Sequence, residues 1–195
     1  MASKLLPCLL LKPFSRAVFP VVSSSLISSS FRLRLAFWRN TGKPHSGLSQ
    51  RTTDRQATEK FPVGTIVELN QADTLTLKKI PGIGSTFARR IVGYRELLGG
   101  FYTVEQLAEV YGIDEERYNS LSPWFKVDTT RIRPLRVNQL SYKELLRHPY
   151  LNASQVRQLD RLRRKAPLQS WNDFILLEEF SSVDYQRLRP YLSFE

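Results

Sequence analysis

Leu77-Lys78-Lys79-Ile80-Pro81-Gly82-Ile83-Gly84-Ser85 is the stretch whose reading decides the fold. Upstream of it, Asn70 is placed as a helix N-cap, with Leu75, Leu77 and Ile80 as the buried positions. Pro81-Gly82-Ile83-Gly84 breaks that helix. Downstream, Ser85 is placed to cap a second helix, whose Phe87, Ala88, Ile91, Val92, Tyr94 and Leu98 recur at helical spacing until Gly99-Gly100 stops it. The sequence thus predicts two helices joined by a tight turn bracketed by glycines.

Further along the chain, Thr103 reads as the cap of a third helix carrying Val104, Leu107, Ala108 and Val110. Tyr111-Gly112-Ile113-Asp114 forms a second, looser turn, where Asp114 and Glu115 would repel a phosphate, so it reads as a packing turn. A fourth helix carries Tyr118 and Leu121 and ends at Pro123. No period-two alternation competes with this pattern, so the fold class is all-α.

The pattern repeats. A shift of 68 residues lays Asn70-Gln71 on Asn138-Gln139, Leu77 on Leu145, Pro81 on Pro149, Ile83 on Leu151 and Arg95 on Arg163. After a one-residue deletion near Pro167 the shift is 67, and Thr103 meets Ser170, Leu107 meets Phe174, Tyr118 meets Tyr185 and Pro123 meets Pro190. Two tandem units, 61–128 and 134–195, are expected, joined by a linker containing Arg131 and Arg133.

Residues 1–60 read as a disordered or targeting segment. They are Ser-rich and carry no acid before Asp54. The apolar run from Leu5 to Leu11 is broken by Pro7 and is far shorter than the ~20 residues of a membrane span. A weak signal-peptide core, an organellar transit peptide and an upstream extension all remain open readings. With one cysteine, Cys8, and two histidines, His45 and His148, the chain has no disulfide framework and no metal-ligand pattern. No cofactor is expected.

The net charge of +11 favours a polyanionic partner. Its distribution tempers that argument. Residues 1–60 hold ten basic against two acidic side chains, net +8, while residues 61–195 hold 19 against 16, net +3. The case for nucleic acid must therefore rest on local chemistry.

The glycine-bracketed turn supplies that chemistry. Gly82 and Gly84 allow backbone dihedrals and close approaches that a side chain would forbid. A phosphate oxygen can then reach the turn amides and the free N–H groups at the positive end of the next helix. Pro81 pre-sets the turn, Ile83 points inward, and Ser85, Arg89 and Arg90 complete the candidate site. Such a grip reads the phosphate backbone rather than base edges. Lys78 and Lys79 add long-range attraction, although each charge also reads as a solvated helix face.

Asn70 to Pro123 resembles a helix-hairpin-helix domain of the competence protein ComEA type. The resemblance is carried by Leu69-Asn70-x-Ala72, Leu77-x-x-Ile80-Pro81-Gly82-Ile83-Gly84, Ala88-x-x-Ile91-x-x-Tyr94-Arg95, Gly100-Phe101 and Val104-x-x-Leu107. It implies a pseudo-symmetric four-helix unit that binds double-stranded DNA without sequence preference, often in DNA uptake. It also implies an exported or membrane-associated bacterial setting, with a cytoplasmic one left open by the sequence.

The second unit departs from that pattern. Its first turn is His148-Pro149-Tyr150-Leu151-Asn152, with Tyr150 set to block close approach and Asn152 able to turn left-handed. Its last turn, Phe180-Ser181-Ser182-Val183, lacks glycine. It does keep an auxiliary basic patch, Arg157, Arg161, Arg164 and Lys165, on one helix face. Trp124 and Trp171 read as packing residues. The expectation is a non-enzymatic DNA-binding module without a small-molecule substrate. The alternative is a protein-interaction or scaffolding module whose hairpins are structural.

Overall fold

The computed structural model describes residues 59–175 and 177–195. The readings made for Cys8, His45 and the Ser-rich stretches lie outside the described residues.

In the first half, α1 (Thr74–Lys78) and α2 (Ser85–Leu98) flank the turn, followed by a 3₁₀ helix (Val104–Glu109) and α3 (Glu115–Leu121). The cap of α1 is Asp73, whose carboxylate accepts from the Thr76 amide at 2.7 Å, not Asn70. Asn70 instead ties three segments together. Its Nδ2 donates to the carbonyls of Phe101 at 2.9 Å and Asp128 at 3.1 Å, and its Oδ1 accepts from the Phe101 amide at 2.7 Å. Leu77 and Ile80 are buried as expected, but Leu75 is 60% exposed because α1 is only five residues long and presents one inward face. Gly99 ends α2 in the left-handed conformation, φ 84°. Thr103 caps the 3₁₀ helix in a reciprocal pair with Gln106.

The second half runs α4 (Tyr142–Leu145), α5 (Ala153–Arg163), α6 (Trp171–Ile175) and α7 (Ser182–Leu188). The chain is mostly helical, but the all-α expectation needs a correction. β1 (Val67–Glu68) pairs in parallel with β2 (Phe125–Lys126), and β3 (Leu135–Arg136) with β4 (Leu192–Ser193). Two-residue strands are too short to show alternation in sequence.

The internal repeat appears as repeated hydrogen bonds. Asn138 holds Leu168 and Phe194 as Asn70 holds Phe101 and Asp128. Arg95 donates to the carbonyls of Leu69 and Ala72, and Arg163 donates to those of Val137 and Leu140, each 68 positions on. Each half has its own apolar core. Leu69, Leu77, Ile80, Ile83, Ile91, Leu107 and Leu121 centre the first; Val137, Leu145, Val156, Leu159, Phe174 and Leu188 centre the second.

The halves also interlock. Tyr191, fully buried, joins the first core although it follows α7. The linker lies against Gly99-Gly100, where the Arg133 amide donates to the Gly99 carbonyl at 2.8 Å. A β-carbon on Gly99 would stand 2.6 Å from the Arg133 carbonyl oxygen, so only glycine admits the linker there.

Candidate functional site

The turn between α1 and α2 is closed by the Ile83 amide donating to the Ile80 carbonyl at 3.2 Å. Gly82 takes φ +83°, which L side chains rarely adopt, so the backbone itself demands glycine there. Ile83 is buried and anchors the bend to the core, as its sequence position predicts. Pro81, Gly82, Gly84 and Ser85 are exposed, and neither the second half nor a tryptophan covers them.

Of the two reasons read in the sequence for glycine at position 84, the backbone conformation is not one the structure requires. It is the N-cap of α2 in an extended conformation, φ −97° and ψ 178°, open to any residue. A β-carbon there would meet nothing within 4 Å. The backbone does not need glycine at this position, and the protein interior does not either. Without a side chain at the cap, the first amides of α2 have no internal acceptor from that position. Ser85, expected as the cap, is instead the first helical residue, one place too late for its hydroxyl to cap.

The repeat supplies three comparisons. Asp114, Asn152 and Ser181 begin α3, α5 and α7 at the positions equivalent to Gly84, and all three are extended N-caps. Asp114 accepts from the Arg117 amide at 2.9 Å, Asn152 from Gln155 at 2.9 Å and Ser181 from Asp184 at 3.2 Å. Of these four equivalent starts, α2 alone lacks a side-chain cap.

The flanking cations divide. Arg89 is exposed beside the turn. Arg90 is half-buried and belongs to the second turn, where it donates to the Tyr111 carbonyl at 3.1 Å and stacks over the Tyr111 ring at 4.7 Å. Lys79 lies over the Phe61 ring at 5.6 Å. Lys60 was not foreseen as a neighbour of the site. Its Nζ donates to the carbonyls of Lys78 at 2.6 Å and Ile80 at 3.3 Å, placing a positive charge at the C-terminal end of α1. The separation of 18 residues leaves no local pattern that could have revealed it.

The second unit's turn has another role. Tyr150 replaces the left-handed glycine, and no non-glycine residue has positive φ among the described residues. Its hydroxyl donates to Glu109 Oε2 at 2.7 Å and accepts from Gln106 Nε2 at 2.7 Å. Tyr94 donates to the same Glu109 oxygen at 2.5 Å. Burial holds the Tyr94 and Tyr150 phenols well above their ordinary pKa, so both remain donors. Asn152, able by type to turn left-handed, is extended and caps α5.

In the auxiliary patch, Arg157, Arg161 and Lys165 are exposed, while Arg164 pairs with Asp160 at 2.7 Å. Arg163, on the same helix, turns inward. Trp124 packs against the first core and Trp171 against the second, as expected.

Comparison with known proteins agrees with this geometry. Residues 63–126 match the family model described as helix-hairpin-helix motif. ComE operon protein 1 of Bacillus subtilis (strain 168) is 36% identical over 58 residues, which are 30% of this chain and 28% of that protein. The match therefore spans less than a third of that relative's length. No solved structure gives a significant match.

Proposed function

We propose that this ComEA-type helix-hairpin-helix segment, residues 63–126, binds double-stranded DNA by its phosphate backbone, without sequence preference and without catalysis. The observation that carries the reading is the uncapped start of α2 at Gly84, exposed, with the exposed Arg89 about one turn along the same helix. An anion fits where a capping carboxylate would otherwise sit, because the first-turn amides and the helix dipole both favour negative charge there. The exposed Arg157, Arg161 and Lys165 add a sequence-independent attraction for the same polyanion. A role in DNA uptake follows from the ComEA resemblance.

The test is a salt titration of duplex DNA binding by the full chain and by Gly84→Asp. The wild-type affinity should fall steeply with salt as counterions are released. The variant should cap its own helix and lose the duplex. An unchanged affinity in a folded Gly84→Asp protein would remove the proposal.

The second reading is a protein-interaction module. It is favoured by Tyr150, which shows one turn of this chain already serving as a docking surface, although an intramolecular one.

A further inference from the structure

The second turn of the first unit brings two arginines together, neither in an ion pair among the described residues although Asp114, Glu115 and Glu116 begin the helix that carries Arg117. Arg90 comes from α2 and Arg117 from α3. Arg90 Nη1 donates to the Tyr111 carbonyl at 3.1 Å, and Arg117 Nη1 donates to the adjacent Gly112 carbonyl at 2.8 Å. Both guanidinium carbons lie over the Phe87 ring, at 5.5 Å for Arg90 and 4.5 Å for Arg117. Among the described residues neither forms an ion pair. A β-carbon on Gly112 would stand 2.7 Å from Arg90 Nη1, so this glycine also makes room for the guanidinium.

Two like charges held at adjacent carbonyls repel each other, and ring faces and carbonyl oxygens compensate only in part. Each guanidinium carries five N–H donors, and these contacts use one on each. The unused donors suit the oxygens of a phosphate, which forked guanidinium groups bind in pairs. Phe87 lies in the first turn of α2, so the pair sits beside the uncapped helix start.

We propose that Arg90 and Arg117 form a second phosphodiester-binding site, made by side chains where the first is made by backbone amides. This rests on the DNA-binding reading and extends it to a second phosphate of the same duplex. Asp114, whose carboxylate is engaged by its own helix amide, closes the backbone route at this turn and leaves binding to the guanidiniums.

The experiment measures duplex DNA binding by the full chain against salt for Arg90→Gln, Arg117→Gln and Arg117→Lys, with Gly84→Asp in parallel. Amide NMR spectra check that each variant keeps the fold. Each Gln variant should weaken binding severalfold, equally for unrelated sequences, and lower the slope of log affinity against log salt by about one. Arg117→Lys, which keeps the charge, should recover most of the slope. If Gly84→Asp loses the duplex while both Gln variants keep the wild-type affinity and slope, the second site is refuted and the first stands. If Gly84→Asp also binds normally, the DNA reading itself fails.

Discussion

Gly84 and Asp114 hold the same post in successive turns of one unit. Each is an extended N-cap, with φ −97° and ψ 178° at Gly84 and φ −84° and ψ 176° at Asp114. Each follows a buried isoleucine, Ile83 or Ile113, that donates its amide back across the bend at 3.2 or 3.0 Å. The backbones agree, but only Asp114 supplies its own anion. The helix amides of one turn are therefore satisfied from within the chain, and those of the other are left open to an anion.

Gly84→Asp should separate binding from stability. The substituted β-carbon enters open space on a permissive backbone. Exchanges between glycine and a good cap change stability by only a few tenths of a kcal/mol. The melting temperature should hold or rise slightly while duplex affinity collapses. Calorimetry and fluorescence anisotropy on one preparation would show both.

Gly99→Ala should destabilise the protein by about 2 kcal/mol or more, because it adds left-handed strain to a β-carbon facing the Arg133 carbonyl at 2.6 Å. Urea unfolding monitored at the tryptophans would report the loss.

Tyr150→Phe should cost about 1–3 kcal/mol, since Glu109 and Gln106 lose a shared buried partner. Duplex affinity should be unchanged, because this turn is an internal joint. A large fall in affinity without loss of stability would assign Tyr150 to the binding surface instead.

Acid should destabilise the fold through His148. Burial against the Tyr150 and Tyr191 rings lowers its pKa from an ordinary 6.5 to about 4, opposed in part by a hydrogen bond with the Leu98 backbone. Between those two values the unfolded chain binds a proton that the folded chain refuses. Stability from this group is thus full above pH 6.5 and falls by about 3 kcal/mol as the pH drops to 4. In His148→Leu the same acid titration of stability, followed by circular dichroism in urea, should lose that component.

Much of the architecture could be read locally. Leu77, Ile80, Ile83 and Ile91 declared a buried face by spacing, Gly82 and Gly99 marked where helices break, and the 68-residue repeat predicted two related halves. These signals depend on residues within a turn or two of one another. The caps were less legible. Asn70 and Asp73 are both good caps by type, and the choice fell to whichever was not already bridging Phe101 and Asp128.

The sequence alone determined which positions must be buried and where the backbone must bend, because periodicity and glycine conformations are properties of short segments. The tertiary structure decided what each bend is used for. It carried Lys60 to the Lys78 and Ile80 carbonyls, gave Arg90 to the Tyr111 turn, and set Tyr150 against Glu109 across the two halves. Those are contacts between distant segments, fixed only once the chain has closed around its cores.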